Sequence, residues 1–162
     1  MVQLPYPPIR IKERNPAYAN LLSIDYCGSV SELSAITQYL SNESYLSDDK
    51  CAMAKTILGI AMAEMMHLQK LGELIILLGG EIDFFAQYRG GKHKPWSPSY
   101  LTITRNAREM MLSGIESERS AINQYKMHIQ MMEDPYVIAV LQRIIKDEEY
   151  HIMLLQALLC EV

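Results

Sequence analysis

Apolar residues recur at three- and four-residue intervals along most of this chain, the period of an α-helix with one buried face. From Asn15 to about Leu46 the face runs through Leu21, Ile24, Ala35, Ile36, Tyr39 and Leu40, with Glu32 set among them. Asn15-Pro16 marks its start, Asn as N-cap and Pro in the first turn, and Gly28 predicts a weak or bent middle. A second stripe, Ile57, Ile60, Ala61, Glu64, His67, Leu68, Leu71, Ile75 and Leu78, predicts a helix opened by Ser47-Asp48-Asp49 and stopped by Gly79-Gly80. Next comes a stretch of roughly twenty residues holding Gly90-Gly91, Pro95 and Pro98, longer than a compact domain usually tolerates without a purpose such as a crossover. The third helix is expected from Tyr100 or Leu101 to Met132. Glu133-Asp134-Pro135 breaks it and opens a fourth over 135–160, which turns Val137, Leu141, Ile144, Glu148, His151, Leu155 and Leu158 inward. Residues 1–14, proline-rich and then charged, read as an extended arm, and 15–162 as one domain. The order hairpin, long crossover, hairpin is an all-α four-helix bundle.

Polar residues interrupt these stripes in a repeated way. Ser31-Glu32-Leu33-Ser34-Ala35-Ile36-Thr37-Gln38-Tyr39 and Ser117-Glu118-Arg119-Ser120-Ala121-Ile122-Asn123-Gln124-Tyr125 agree at seven of nine positions. Each is followed by a Glu-x-x-His unit, Glu64 to His67 and Glu148 to His151. Residues three apart share a helix face, so each unit can grip one ion from a single turn. A bare carboxylate in a bundle core costs several kcal/mol, so four of them, Glu32, Glu64, Glu118 and Glu148, call for cations. Two divalent ions would neutralise them, with His67 and His151 adding one nitrogen to each. Carboxylate and imidazole ligands without thiolates suit iron or manganese. One Glu-x-x-His is common by chance, whereas two at matching places in a repeat are not. Tyr39 and Tyr125, two turns beyond Glu32 and Glu118, are placed to orient a ligand carboxylate. Glu116 and Glu149 fall on other faces, His93 sits between two lysines in the loop, and His128 lies about three turns beyond Glu118, remote from the ligands.

Composition narrows the setting. At 162 residues, 49% hydrophobic and 21% charged, the chain is of ordinary globular make-up. A net charge of −4 and a pI near 5.6 offer no field for a phosphate backbone, so nucleic acid is not an expected partner. The apolar runs Ile57–Ala63 and Leu74–Leu78 fall short of the ~20 residues of a membrane span, and residues 1–8 lack a signal-peptide pattern. The expectation is a cytoplasmic protein that meets no membrane. Cys27, Cys51 and Cys160 share no C-x-x-C spacing and read as small hydrophobes, and the eleven methionines, among them Met62, Met65, Met66, Met131 and Met132, as flexible core filler. Leu112, Ile115 and Ile129 on outer faces predict a homodimer or larger homo-oligomer.

On Glu32, Glu64-x-x-His67, Glu118 and Glu148-x-x-His151, residues 15–160 resemble the ferritin-like di-iron carboxylate proteins, most closely the rubrerythrin and bacterioferritin branch. The resemblance implies two iron ions, with two manganese ions as the alternative. It implies an oxidoreductase acting on hydrogen peroxide or dioxygen, a rubrerythrin-like peroxidase or oxidase supplied by an external electron donor. By the family's usual arrangement Glu64 and Glu148 bridge the metals, although Glu32 and Glu118 are the other available pair. Two departures stand out: the chain has no four-cysteine rubredoxin-like domain, and Ala121 stands where rubrerythrins place an additional Glu. The arm with Asn15-Pro16-Ala17-Tyr18-Ala19 and Leu21-Leu22 is similar to the beginning of spore-coat-type manganese catalases, which implies peroxide disproportionation. Ferroxidase activity feeding iron storage is a third implied function.

Overall fold

The structure, a computed structural model, describes residues 1–162. Its helices are α1 (Pro16–Cys27), α2 (Glu32–Leu46), α3 (Cys51–Leu78), α4 (Ala107–Gln130) and α5 (Pro135–Leu159), with a two-stranded hairpin, β1 (Phe85–Tyr88) and β2 (Lys92–Pro95), in the crossover. α1 and α2 both pack on α3 and both reach α4, so together they fill one position of a four-helix bundle. The all-α architecture of two hairpins joined by a long crossover is therefore present.

The expected single first helix is two. Gly28 is extended (φ −73°, ψ −170°), and a Cβ there would lie 2.6 Å from the Ile24 carbonyl oxygen. The chain restarts on Ser31, whose hydroxyl accepts from Ser34 N–H at 3.2 Å and donates to the Gly28 carbonyl at 2.7 Å. That serine N-cap competes successfully with helix continuation. The consequence is that Glu32 opens α2, where the partial positive charge of the helix N-terminus favours its carboxylate. Other ends move by a few residues. Ser47 closes α2 rather than opening α3, which starts at Cys51 with no side-chain cap. α4 begins at Ala107, capped by Asn106, because residues up to 105 belong to the crossover. Asn15, Gly79 and Asp134-Pro135 mark helix ends as expected.

The crossover is tied down rather than loose. Gly90 and Gly91, at φ 77° and 72°, turn the hairpin in a left-handed conformation that other residues avoid. Gln87 N–H donates to Ser23 Oγ at 2.8 Å, Trp96 Nε1 to Ser34 Oγ at 3.0 Å, and Gln38 exchanges two bonds with the backbone of Thr102. The segment is thereby fastened across the α1–α2 break.

Two apolar clusters fill the bundle. One joins Leu22, Leu71, Leu74, Ile75, Val140 and Leu141, and the other joins Ile57, Ile60, Met110, Met111 and Leu155 with Tyr39. Glu64 and His67 come between Ile60 and Leu71 along α3, and Glu148 and His151 between Ile145 and Leu155 along α5, so the polar residues form a slab between two apolar cores. The N-terminal arm lies against the first cluster through Tyr6, Ile9 and Ile11, and Arg10 sits 3.8 Å over the Tyr136 ring.

Several surface expectations need correction. Met62, Met65, Met66 and Met131 are exposed rather than core filler, while Met132 is buried. Cys51 and Cys160 are exposed and only Cys27 is buried. Of the three outer apolar residues Leu112 is exposed, but Ile115 belongs to the second cluster. α3 is long and apolar enough to cross a membrane by length and composition, yet its inward stripe carries Glu64 and His67.

Gly79 ends α3 at φ 95°, and a Cβ there would stand 2.9 Å from the Arg14 guanidinium. Gly79→Ala is expected to destabilise the fold by about 1–2 kcal/mol, the cost of a left-handed non-glycine residue. Equilibrium urea unfolding measures it.

Candidate metal centre

All six predicted ligands are buried, none more than 3% exposed. They form two groups in which every ligand atom lies within 4.8 Å of the others: Glu32, Glu64, His67 and Glu148, and Glu64, Glu118, Glu148 and His151. Glu64 and Glu148 belong to both. Glu32 with His67 and Glu118 with His151 flank them, each pair drawn from two different helices.

The chemistry of this cluster fits a pair of cations. His67 Nδ1 lies 2.7 Å from Glu64 Oε2, 3.3 Å from Glu148 Oε1 and 3.4 Å from Glu32 Oε2. His151 Nδ1 lies 2.9 Å from Glu148 Oε2, 3.1 Å from Glu64 Oε1 and 3.6 Å from Glu118 Oε1. The shorter of the His151 approaches nevertheless lack hydrogen-bond geometry: Glu64 Oε1, Glu148 Oε2 and both nitrogens of His151 are buried without a partner. Buried polar atoms are seldom orphaned. Lone pairs that converge at 3 Å without bonding one another are arranged as ligands are, around a common point.

Without cations the cluster holds protons. Burial pushes the Glu118 carboxyl up, the charges of Glu64 and Glu148 add to it, and it reaches about 8. Glu32 is raised well above the carboxylate range by burial and the same two neighbours. Burial opposes the imidazolium of His151, but the charge of Glu64 and the nearness of the Glu118 and Glu148 carboxylates drive it up to about 12. His67 is raised in the same way, against burial, by Glu148, Glu32 and Glu64. Burial disfavours the charge of Glu64 too, yet the two histidines outweigh it and hold Glu64 below the usual range.

Both tyrosines support carboxylates, but crosswise. Tyr39 on α2 donates its hydroxyl to Glu118 Oε1 on α4, and Tyr125 on α4 donates to Glu32 Oε1 on α2. The repeat thus reaches across the bundle rather than along its own helix.

Asp147, Arg143 and Asp25, with the partners that hold them, are not singled out by the sequence pattern. Asp147, fully buried, accepts from Tyr6 Oη at 2.7 Å and Val2 N–H at 2.6 Å and lies 3.1 Å from His67 Nε2. Arg143 stands 3.0 Å from the same carboxylate. The available signal was Arg143 and Asp147 at i, i+4 on an inward face, next to Glu148. Asp25, held by His128 at 2.7 Å and Gln124 at 2.8 Å, forms a second buried polar cluster. His128 is therefore tied to α1 and not to the ligands. His93 is exposed in the hairpin, edge-on to Phe85, and Glu149 pairs with Lys146 at the surface.

A cleft of about 80 Å³ reaches the cluster between α2 and α4. Its walls are Ser31, Ala35, Gln38, Ser117, Ala121 and the crossover residue Tyr100, and Glu32, Glu64, Glu118 and Glu148 line it. Small side chains in both copies of the repeat leave this opening.

Three known proteins are similar to this chain. A probable manganese catalase of Clostridium acetobutylicum is 26% identical over an alignment 163 positions long that covers 88% of this chain and 70% of that one. The crystal structure of KatB, a manganese catalase from Anabaena PCC7120, superposes with a TM-score of 0.83 at 22% identity, over 99% of this chain and 79% of that one. The bacterioferritin BfrA of Mycobacterium tuberculosis superposes with a TM-score of 0.70 at 25% identity, over 90% and 85%. Residues 30–162, which contain all six of the clustered Glu and His residues, match the Ferritin family's ferritin-like domain, and the chain belongs to that family.

Proposed function

We propose that this protein is a dinuclear metal enzyme that disproportionates hydrogen peroxide, in which Glu64 and Glu148 would be the ligands common to both ions. Glu32 and His67 would complete one position and Glu118 and His151 the other. The observation that carries the reading is the buried set of four carboxylates and two imidazoles, with donor atoms left unbonded, at the floor of a cleft that admits only small molecules. The likeness to manganese catalases supports peroxide as the substrate and manganese as the metal. A redox-active ion pair supplies the electron changes, so that two peroxides become two waters and one dioxygen with no outside donor.

The protein's own part is shape, polarity and protons. Glu118 with Tyr39 and Glu32 with Tyr125 stand beside the shared carboxylates as hydrogen-bonded pairs that accept or return a proton without moving. Glu64 and Glu148 would be shared by the two ions, and such a pair would supply the redox chemistry for a two-atom substrate. The narrow cleft keeps larger reductants away from the oxidised centre. Ala121 keeps the two halves alike, which favours this reading over the rubrerythrin-like peroxidase that would need an external donor. A di-iron peroxidase or ferroxidase is the second reading, supported by the likeness to bacterioferritin.

Metal analysis of the isolated protein and an oxygen electrode separate the two. Two manganese ions per chain and dioxygen evolution from peroxide are expected; iron with no dioxygen evolution would sink the catalase reading. Glu64→Ala and Glu148→Ala should each lose both ions and all turnover.

The metal-free protein has a definite pH signature. Glu118, raised to about 8, and His67 and His151, also raised, each contribute stability below their unfolded values that is lost as pH climbs toward their folded ones. Chelator-treated protein should therefore lose thermal stability as pH rises from about 5 to about 8. Glu118→Gln should flatten part of that slope. Manganese-loaded protein should show the opposite trend, because metal binding displaces those protons. Parallel pH profiles of melting temperature with and without metal would contradict the assignment.

A further inference from the structure

The duplication that builds the centre is not complete. Placing Glu64 on Glu148 and His67 on His151 puts Ala63 opposite Asp147 and Gly59 opposite Arg143. The difference has a geometric result. His67 Nε2, the nitrogen facing away from the cluster, lies 3.1 Å from Asp147 Oδ2, whereas His151 Nε2 is buried with no partner. Asp147 does not stand alone. Tyr6 donates to Oδ2 at 2.7 Å, Val2 N–H to Oδ1 at 2.6 Å, and Arg143 Nη1 lies 3.0 Å away. Arg143 in turn binds the arm's backbone, donating to the Val2 carbonyl at 3.0 Å and the Leu4 carbonyl at 2.9 and 3.1 Å, and it lies 4.3 Å over the Tyr6 ring. Lys70 lies 4.5 Å over the same ring, and the ring's centre is 6.3 Å from that of His67. On the other half Gly59 is exposed, with nothing within 4 Å of a Cβ placed there, and Ala63 is buried but carries no polar group to meet His151.

We propose that the N-terminal arm is a working part of the metal centre: by seating Val2 and Tyr6 on Asp147 it fixes His67 as a ligand, so that the ion served by His67 binds first and more tightly than the ion served by His151. The inference rests on the metal-centre reading above. An imidazole whose far nitrogen is bonded to a carboxylate has its tautomer and ring angle set before the metal arrives, and it is a stronger donor. His151 must settle both on binding. Asp147, Tyr6 and Arg143 are positioning residues, none of them in the ligand set. Because coupling between two binding events is reciprocal, the ion at His67 should hold the arm down as firmly as the arm holds His67. The arm carries Arg10 and Lys12, which makes its release visible to trypsin.

Manganese(II) is titrated into the chelator-stripped, full-length protein, free ion being followed by its electron paramagnetic resonance and arm release by tryptic cleavage after Arg10 or Lys12. The wild type should bind two ions in resolved steps and should cleave more slowly once the first is bound. Tyr6→Phe, at the surface end of the network, should weaken the tighter step about tenfold, the lower end of the usual cost of losing such a contact, and leave the weaker step unchanged. Asp147→Asn should weaken the same step further, again without moving the other. Two indistinguishable steps in the wild type, equal losses at both steps in Tyr6→Phe, or arm cleavage indifferent to manganese would overturn the inference while the centre stood. A folded wild type that binds no ion would overturn the centre itself.

Discussion

Four carboxylates and two imidazoles packed between two apolar cores are the constraint on which the rest of this structure depends. Charges in such surroundings are tolerated only when paired, and one unpaired carboxylate costs several kcal/mol. Two imidazoliums offset two of the four negative charges here, and protons on Glu32 and Glu118 offset the others when no cation is present. The cluster can therefore be satisfied in two ways, by protons or by divalent ions. A bundle stable enough to hold it in either state keeps a site ready for metal, and its long packed helices provide that rigidity on both sides of the slab.

The supports around the slab show how closely the local structure serves it. The serine cap that splits α1 from α2 puts Glu32 at a helix N-terminus, where a negative charge is favoured, while its counterpart Glu118 sits mid-helix and has no such help. The crosswise tyrosines link α2 to α4, the pair of elements that face each other across the cleft. Without those bonds the two outer carboxylates would be free to swing, and the cleft would have no fixed floor. The crossover hairpin, fastened to Ser23, Ser34 and Gln38, closes the same side. Fold and site are thus stabilised by shared residues.

Much of this was legible in residue order. Helical spacing placed Glu64, His67, Glu148 and His151 inward, and the nine-residue repeat added Glu32 and Glu118, because a buried face and a duplicated motif are both local patterns. Local pattern is also where legibility stopped. The Gly28 break depended on a cap formed by Ser31 three residues later, and the same stretch read equally well as one bent helix. Each tyrosine lies two turns beyond a glutamate of its own helix yet bonds the glutamate of the facing helix, since reach across a bundle is a tertiary fact. Asp147 and Tyr6 are 141 residues apart. Nothing within a helical period connects an extended arm to a carboxylate on the last helix, so this contact belongs to the tertiary fold alone.

The arm also shows how an internally repeated site can become unequal without losing its ligands. A bundle built from two like hairpins starts with two like groups of carboxylate and imidazole, and each member of the proposed ligand set has its counterpart in the other half: Glu32 with Glu118, Glu64 with Glu148, His67 with His151. The halves differ one layer out, where Arg143 and Asp147 face Gly59 and Ala63. A change in that outer layer alters how firmly an imidazole is held while leaving the ion's immediate neighbours alone, so it adjusts affinity without removing the site. The buried aspartate of the second half has its partners in the arm and Arg143; in the first half Gly59 stands where Arg143 does and supplies none, so a carboxylate at position 63 would be left without that pairing. On this geometry the arm and the inequality of the two halves belong together, since Asp147 is paired only where the arm lies.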